Sequence, residues 1–298
     1  MQAPAHKRIG ILIVAVAVIW QGVGTSLVGK LVDPSRSTFL TFSAFLAAAG
    51  ISLLAYLFTR KKNSAAPRSA VSRKTALSLN IFTAGAFCLF YISATMVPPA
   101  AASVIETGVG PLIVAFMMVI AAKNTSGVKT LFAPVLVVFL AAIFVALQDI
   151  RYNAVTIVGI LLAILAGSSA VGVLYSSQAA VREGASVLQI AAIRFHLAWV
   201  VSGIIVVFTA QNSLAGGNIF QNVGLSVVCV TLPILLLQWG ITIASPLASS
   251  LVIAWLPAIV LGTDVLLGAS VTFSQVVILF AIVCASIVPV LLSKKAEA

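Results

Sequence analysis

Six acidic side chains and two histidines are the ordinary proton-handling groups in a chain of 298 residues. One of them, Glu106, lies inside an apolar run that holds no other charge, from Pro99 to Ala122. An ionised carboxylate at such a depth in a bilayer costs at least a few kcal/mol unless it finds a partner or water. Two readings are open: a group that holds a substrate ammonium or relays a proton, or a structural carboxyl bonded to a neighbouring helix. Asp264 falls near the end of another apolar run and suits an interfacial or capping role. Arg194 and Lys30 have stems long enough to carry their charges out to the headgroups, so both are expected to snorkel. His196 stands alone apart from His6 in the N-terminal tail. It is either a packed imidazole or a hydrogen bonder lining a cavity, since one histidine makes no metal site. Cys88, Cys229 and Cys284 have no C-x-x-C spacing and read as packing residues. No nucleophile–base–acid set and no metal-ligand cluster is evident, so neither an enzyme, a cofactor nor a bound metal is expected.

Aromatic and amide side chains form a second set. Trp20-Gln21 and Gln238-Trp239 are adjacent pairs in separate runs, and Thr107, Tyr91, Tyr175, Trp199 and Trp255 also fall within runs. Membrane tryptophans usually mark interfaces. Amides beside flat aromatic faces, away from the interface, would suit an amino acid with an apolar side chain. Packing between helices explains each residue singly.

These groups need a scaffold, and composition identifies its class. Hydrophobic residues make up 61% of the chain and charged ones 8%. A water-soluble domain carries about a quarter charged residues and could not cover its surface with so few. An all-α integral membrane protein is expected, with spans near 9–32, 37–59, 76–97, 99–122, 128–147, 155–180, 186–210, 220–243, 246–267 and 273–292. Lys7-Arg8 before the first apolar run resembles a signal-peptide start. The run is too long and has no convincing small-residue cleavage site, so an uncleaved first span is expected. With the N-terminus in the cytoplasm, thirteen of the 17 basic residues fall on that side, including Arg60, Arg73, Lys123, Arg182 and Lys294; Arg36 and Arg151 fall outside. That bias predicts a multi-pass protein of a bacterial inner membrane with both termini cytoplasmic. The net charge of +11 then records orientation in a lipid bilayer and not a nucleic-acid partner.

The ten spans divide into two fives. Ala102-Ser103-Val104-Ile105 followed by Pro111 matches Ala248-Ser249-Ser250-Leu251 followed by Pro257, and the Phe42–Ala47 stretch matches Ile193–Ala198. An odd number of spans per half forces opposite orientations, so residues 1–150 and 151–298 are expected to be two inverted five-helix repeats. Pro111 and Pro257 both lie about 17–18 Å along their spans, near the midplane. With Gly108 and Gly110 they are expected to be paired hinges in broken helices, the usual place of a transporter's binding site. For either proline alone, a tolerated kink is the simpler account.

Trp20-Gln21-Gly22 with Lys30, Leu174-Tyr175-Ser176-Ser177 leading to Arg182, and Arg194-Phe195 resemble the drug/metabolite transporter superfamily in its EamA-like ten-helix branch. In layout the chain looks most like the YddG-type amino acid exporters. The resemblance implies a central cavity lined by the first four helices of each half, peripheral fifth and tenth helices, and alternating access. It implies an exporter of neutral or aromatic amino acids, by uniport or proton antiport. Export of another small metabolite or a lipophilic cation is the alternative, and a non-transporting scaffold or enzyme a further one. Ala122-Lys123-Asn124 and Leu267-Gly268-Ala269 lack the Gly-Glu pair many relatives carry there, and Ser43 stands where an arginine is expected. Homo-oligomers are open. The Gly24–Leu31 stretch only mimics a phosphate-binding loop, and its Gly24 and Gly29 are expected to allow close helix contact. The sequon at Asn124-Thr125-Ser126 falls on the cytoplasmic side.

Overall fold

The computed structural model describes residues 4–32, 37–62, 71–122, 131–148, 150, 153–209 and 219–292. Arg36, residues 63–70 of the basic loop expected between the second and third spans (60–75), Lys123, the Asn124-Thr125-Ser126 sequon, Arg151 and Lys294 lie outside the described residues.

Apolar runs become helices here because lipid leaves no other partner for the backbone. The helices are α1 (Pro4–Leu31), α2 (Ser37–Lys62), α3 (Arg73–Met96), α4 (Pro99–Ala122), α5 (Phe132–Ala146) and α6 (Ala154–Arg182). There follow α7 (Val187–Arg194), α8 (His196–Thr209), α9 (Ile219–Ser226), a π turn (Val227–Thr231), α10 (Leu232–Ile243), α11 (Pro246–Ile253), α12 (Leu256–Leu266) and α13 (Phe273–Leu292). The last three of the expected spans six to nine are thus segmented: seven into α7 and α8, eight around the π turn, nine into α11 and α12. The protein is all-α and multi-pass. Among the described residues, eight stretches are long and apolar enough to cross a membrane; α5 and the Phe273–Ile287 part of α13 are shorter. Phe208, Phe220, Leu266 and Phe273, all at helix ends, are more than four-fifths exposed, as side chains that face lipid can be.

Packing crosses between α1–α5 and the later helices. The most extensive contacts join α3 to α6 and α1 to α10 with the π turn. α4 packs on α6, and α11 and α12 pack on α1. α2 meets α7 and α8, α5 meets α13, and α4 meets α11 and α12. Glycines allow close approach at these contacts. A Cβ on Gly10 would come within 2.6 Å of Ala244 N, just past α10; one on Gly159 would come within 2.8 Å of Met96 Cβ, at the end of α3. Gly24 abuts the Cys229 backbone as Gly172 abuts the Phe82 ring. Without a solvent-driven hydrophobic term between helices, such close backbone approach carries the association. Gly29 corrects the reading of a glycine pair: nothing lies within 4 Å of its Cβ position. Cys88 and Cys229 are buried as packing residues, whereas Cys284 is exposed.

The two proline-bearing spans differ in continuity. α11 ends at Ile253 and α12 restarts at Leu256, with Pro257 in its first turn, where a missing N–H costs nothing. α4, however, runs unbroken from Pro99 to Ala122 with Pro111 inside it. The expected hinge at Gly108, Gly110 and Pro111 is therefore corrected to a continuous helix. Its neighbours hold it: Gly108 faces Ala141 of α5, and Gly110 lies between Val171 of α6 and Ser250 of α11. A membrane helix so braced tolerates a proline without parting.

Candidate functional site

A break absent from the sequence reading divides α7 from α8 at Phe195, where no proline or glycine stands. In an uninterrupted helix the Leu197 N–H would donate to the Ile193 carbonyl. Asn80 of α3 takes both ends of that bond. Its Oδ1 accepts from Leu197 N at 3.0 Å, and its Nδ2 donates to Ile193 O at 2.8 Å and to Ala76 O at 3.0 Å. The side-chain amide supplies one acceptor and two donors in the places the backbone requires, so the chain can turn at Phe195 with these two groups satisfied. Phe195 itself is buried and stacks with Phe45 of α2 at a ring separation of 6.3 Å.

The break directs Arg194 inward. Its side chain is 4% exposed, which corrects the snorkelling expectation. Its Nε donates to Thr83 Oγ1 of α3 at 3.2 Å, and its Nη1 donates to Gln238 Oε1 of α10. Gln238 Nε2 in turn reaches Ser177 Oγ of α6 at 3.4 Å. The guanidinium also lies 4.7 Å from the Phe195 ring centroid. Thr83, Ser177 and Gln238 are all fully buried. A charge in the packed interior is tolerable only with such partners. Four helices, α3, α6, α7 and α10, are tied together by this one network. Of its members the sequence had singled out Arg194, as a snorkelling cation, and Gln238, as a cavity amide paired with Trp239. Trp239 instead points outward, half exposed, into a cleft of about 320 Å³ between α2, α7 and α10.

Glu106 occupies a different position. It is partly buried on α4, with no hydrogen-bond or ion-pair partner among the described residues. Its backbone carbonyl sits directly against Gly167 of α6. Tyr91 of α3 lies within its electrostatic reach, and the Tyr91 hydroxyl is hydrogen-bonded with Thr41 of α2. Thr41 and Tyr91 thus link α2 to α3. Thr41 went unread in the sequence because a threonine in an apolar helix gives no signal of its own. Thr107, next to Glu106, is buried and its hydroxyl donates to Ser103 O at 2.7 Å.

The aromatic candidates divide. Tyr91 and Trp199 pack against the cluster of Phe45, Phe195 and Ile234. Tyr175 and Trp255 pack against a second cluster around Val171, Leu174 and Val252. At the break of the ninth span, Ser249 Oγ and Trp255 Nε1 are buried polar atoms with no hydrogen bond among the described residues. Trp20 is exposed and Gln21 half-buried, so neither joins these groups. His196 is also exposed, which sets aside the packed imidazole, one of its two readings. It lines a cleft of about 490 Å³ on the flank of the bundle between α3 and α8. Lys30 reaches the C-terminal end of α12, where its Nζ donates to Leu267 O at 2.8 Å. Among the described residues, no three His, Cys, Asp or Glu side chains gather as metal ligands.

No family model matches the sequence, and no curated protein matches it. Among solved structures, a crystal structure of a protein is similar with a TM-score of 0.72, covering 98% of this chain and 100% of the other at 15% identity. That likeness shows the fold.

Proposed function

We propose that the chain is a secondary transporter of an inner membrane that exports neutral or aromatic amino acids by alternating access. The observation that carries the reading is the exchange pattern of the packing, in which α3 on α6 and α4 on α6 recur as α10 on α1 and α11 with α12 on α1. Two five-helix halves of opposite orientation would produce it, and such halves rock about a site held between them. α4 and the ninth span meet between the halves, and each carries groups suited to a zwitterion. Glu106 is an acid with no hydrogen-bond or ion-pair partner among the described residues, available to an ammonium. Ser249 Oγ and Trp255 Nε1 are buried donors available to a carboxylate. Tyr91, within electrostatic reach of Glu106, and Tyr175, packed against the cluster that holds Val252, would face an apolar side chain. Both termini would lie on the cytoplasmic, basic side.

The test is efflux from proteoliposomes. Preloaded phenylalanine should leave vesicles containing the protein faster than empty ones, and no acceleration for any amino acid would remove the proposal. Class is tested separately by Thr107→Cys and Ile253→Cys in a background without the native cysteines. Labelling by a water-soluble thiol reagent is expected for a transporter and resistance from both sides for a scaffold.

A further inference from the structure

The flank cleft between α3 and α8 has a polarity gradient that the transport reading leaves unused. Arg73, the first residue of α3, stands at its mouth; Leu77 and Val200 form apolar walls; Asn80 and His196 lie farther in. From Arg73 to Asn80 the helix rises about 10 Å, roughly from headgroup level past the ester level of a leaflet. Arg73 is exposed and makes no ion pair among the described residues. The neighbouring acid, Glu183, is committed elsewhere, accepting from Ser72 N, Ser72 Oγ and Thr75 Oγ1. Leu77 is 61% exposed on the bundle's outer surface, where a membrane protein meets acyl chains.

We infer that this cleft binds one anionic phospholipid. The phosphate pairs with the Arg73 guanidinium, and an acyl chain lies along Leu77 and Val200. A zwitterionic lipid fits the same walls but brings a cationic group to Arg73. Charge therefore selects the anionic headgroup, and the apolar walls exclude a free phosphate.

The experiment is native mass spectrometry of the full-length protein in mild detergent, with equal amounts of phosphatidylglycerol and phosphatidylcholine carrying identical chains. The wild type should retain one phosphatidylglycerol in preference to phosphatidylcholine. Arg73→Gln should lower that preference about fivefold, the weight of one basic side chain near an anionic surface. Arg60→Gln, which removes an exposed cation at the end of α2, should leave it unchanged. Leu77→Trp, filling the cleft at an exposed position, should reduce retention of both lipids, with an unaltered melting temperature reporting the fold. An unchanged preference in Arg73→Gln, an equal loss in Arg60→Gln, or wild-type retention in Leu77→Trp would overturn the inference.

Discussion

The Arg194 guanidinium donates to the Gln238 carboxamide oxygen in the packed interior, and the helix carrying Arg194 is broken one residue later. Position and break belong together. Were α7 and α8 one regular helix, the turn at Phe195 that accompanies this inward placement would be lost.

The pair should show strong non-additivity. Gln238→Leu leaves a buried guanidinium short of an acceptor, and should destabilise by about 1.5–3 kcal/mol. Arg194→Met combined with Gln238→Leu removes both demands and should recover most of that loss. Thermal melts of the two single variants and the double variant in one detergent give the comparison.

Asn80→Leu keeps the volume but removes the side-chain amide that completes the Ile193 and Leu197 backbone groups. A loss of about 1–3 kcal/mol is expected. Hydrogen exchange at the Leu197 amide should accelerate, which distinguishes this cause from general loosening.

Glu106→Gln keeps the shape and deletes the charge. If the carboxylate holds the substrate ammonium, efflux should fall about 10–100-fold, the worth of one charge-assisted hydrogen bond. Transport that keeps its rate and its pH dependence would exclude both binding and proton relay through this residue.

Glycine substitutions should separate by contact. Gly24→Ala and Gly167→Ala drive a methyl into the Cys229 and Glu106 backbones and should each cost about 1–3 kcal/mol. Gly29→Ala meets nothing and should be neutral or stabilising by up to about 1 kcal/mol through helix propensity. Melting temperatures of the three variants decide.

Glu183 lies beyond the end of α6, and its hydrogen bonds from Thr75 and Ser72 hold its carboxyl below the usual carboxylate range. The contribution is therefore present above the unfolded carboxylate's value and is lost as pH falls through the depressed one. Glu183→Gln should remove this acid-side dependence, read as a flatter melting-temperature profile between pH 5 and 3, roughly the range in which such a group titrates.

Span positions were legible because the apolar runs are long and the turns between them carry prolines, glycines and charges. Pro99, Ala122, Phe273 and Leu292 bound α4 and α13 where the sequence put them. The interior of the spans was less legible. Pro111 advertises a break that its neighbours suppress, whereas the break at Phe195 is imposed from another helix by Asn80, more than a hundred residues away. Arg194 was misread for the same reason: its partners Thr83 and Gln238 lie on helices whose adjacency no local pattern records. Glu106 could be found by scarcity alone, but Thr41 beside Tyr91 could not, since hydroxyls are common in membrane helices.

The exchange of contacts between halves has a consequence for synthesis. α3 reserves its broadest face for α6, α1 reserves its own for α10, and α2 waits for α7 and α8. When the first five helices have entered the bilayer, those faces still touch only lipid or one another. The amino-terminal half therefore cannot reach its final arrangement while the ribosome is still translating the second half. Insertion and compaction become separate stages, and the last helices to arrive are the ones that close the assembly.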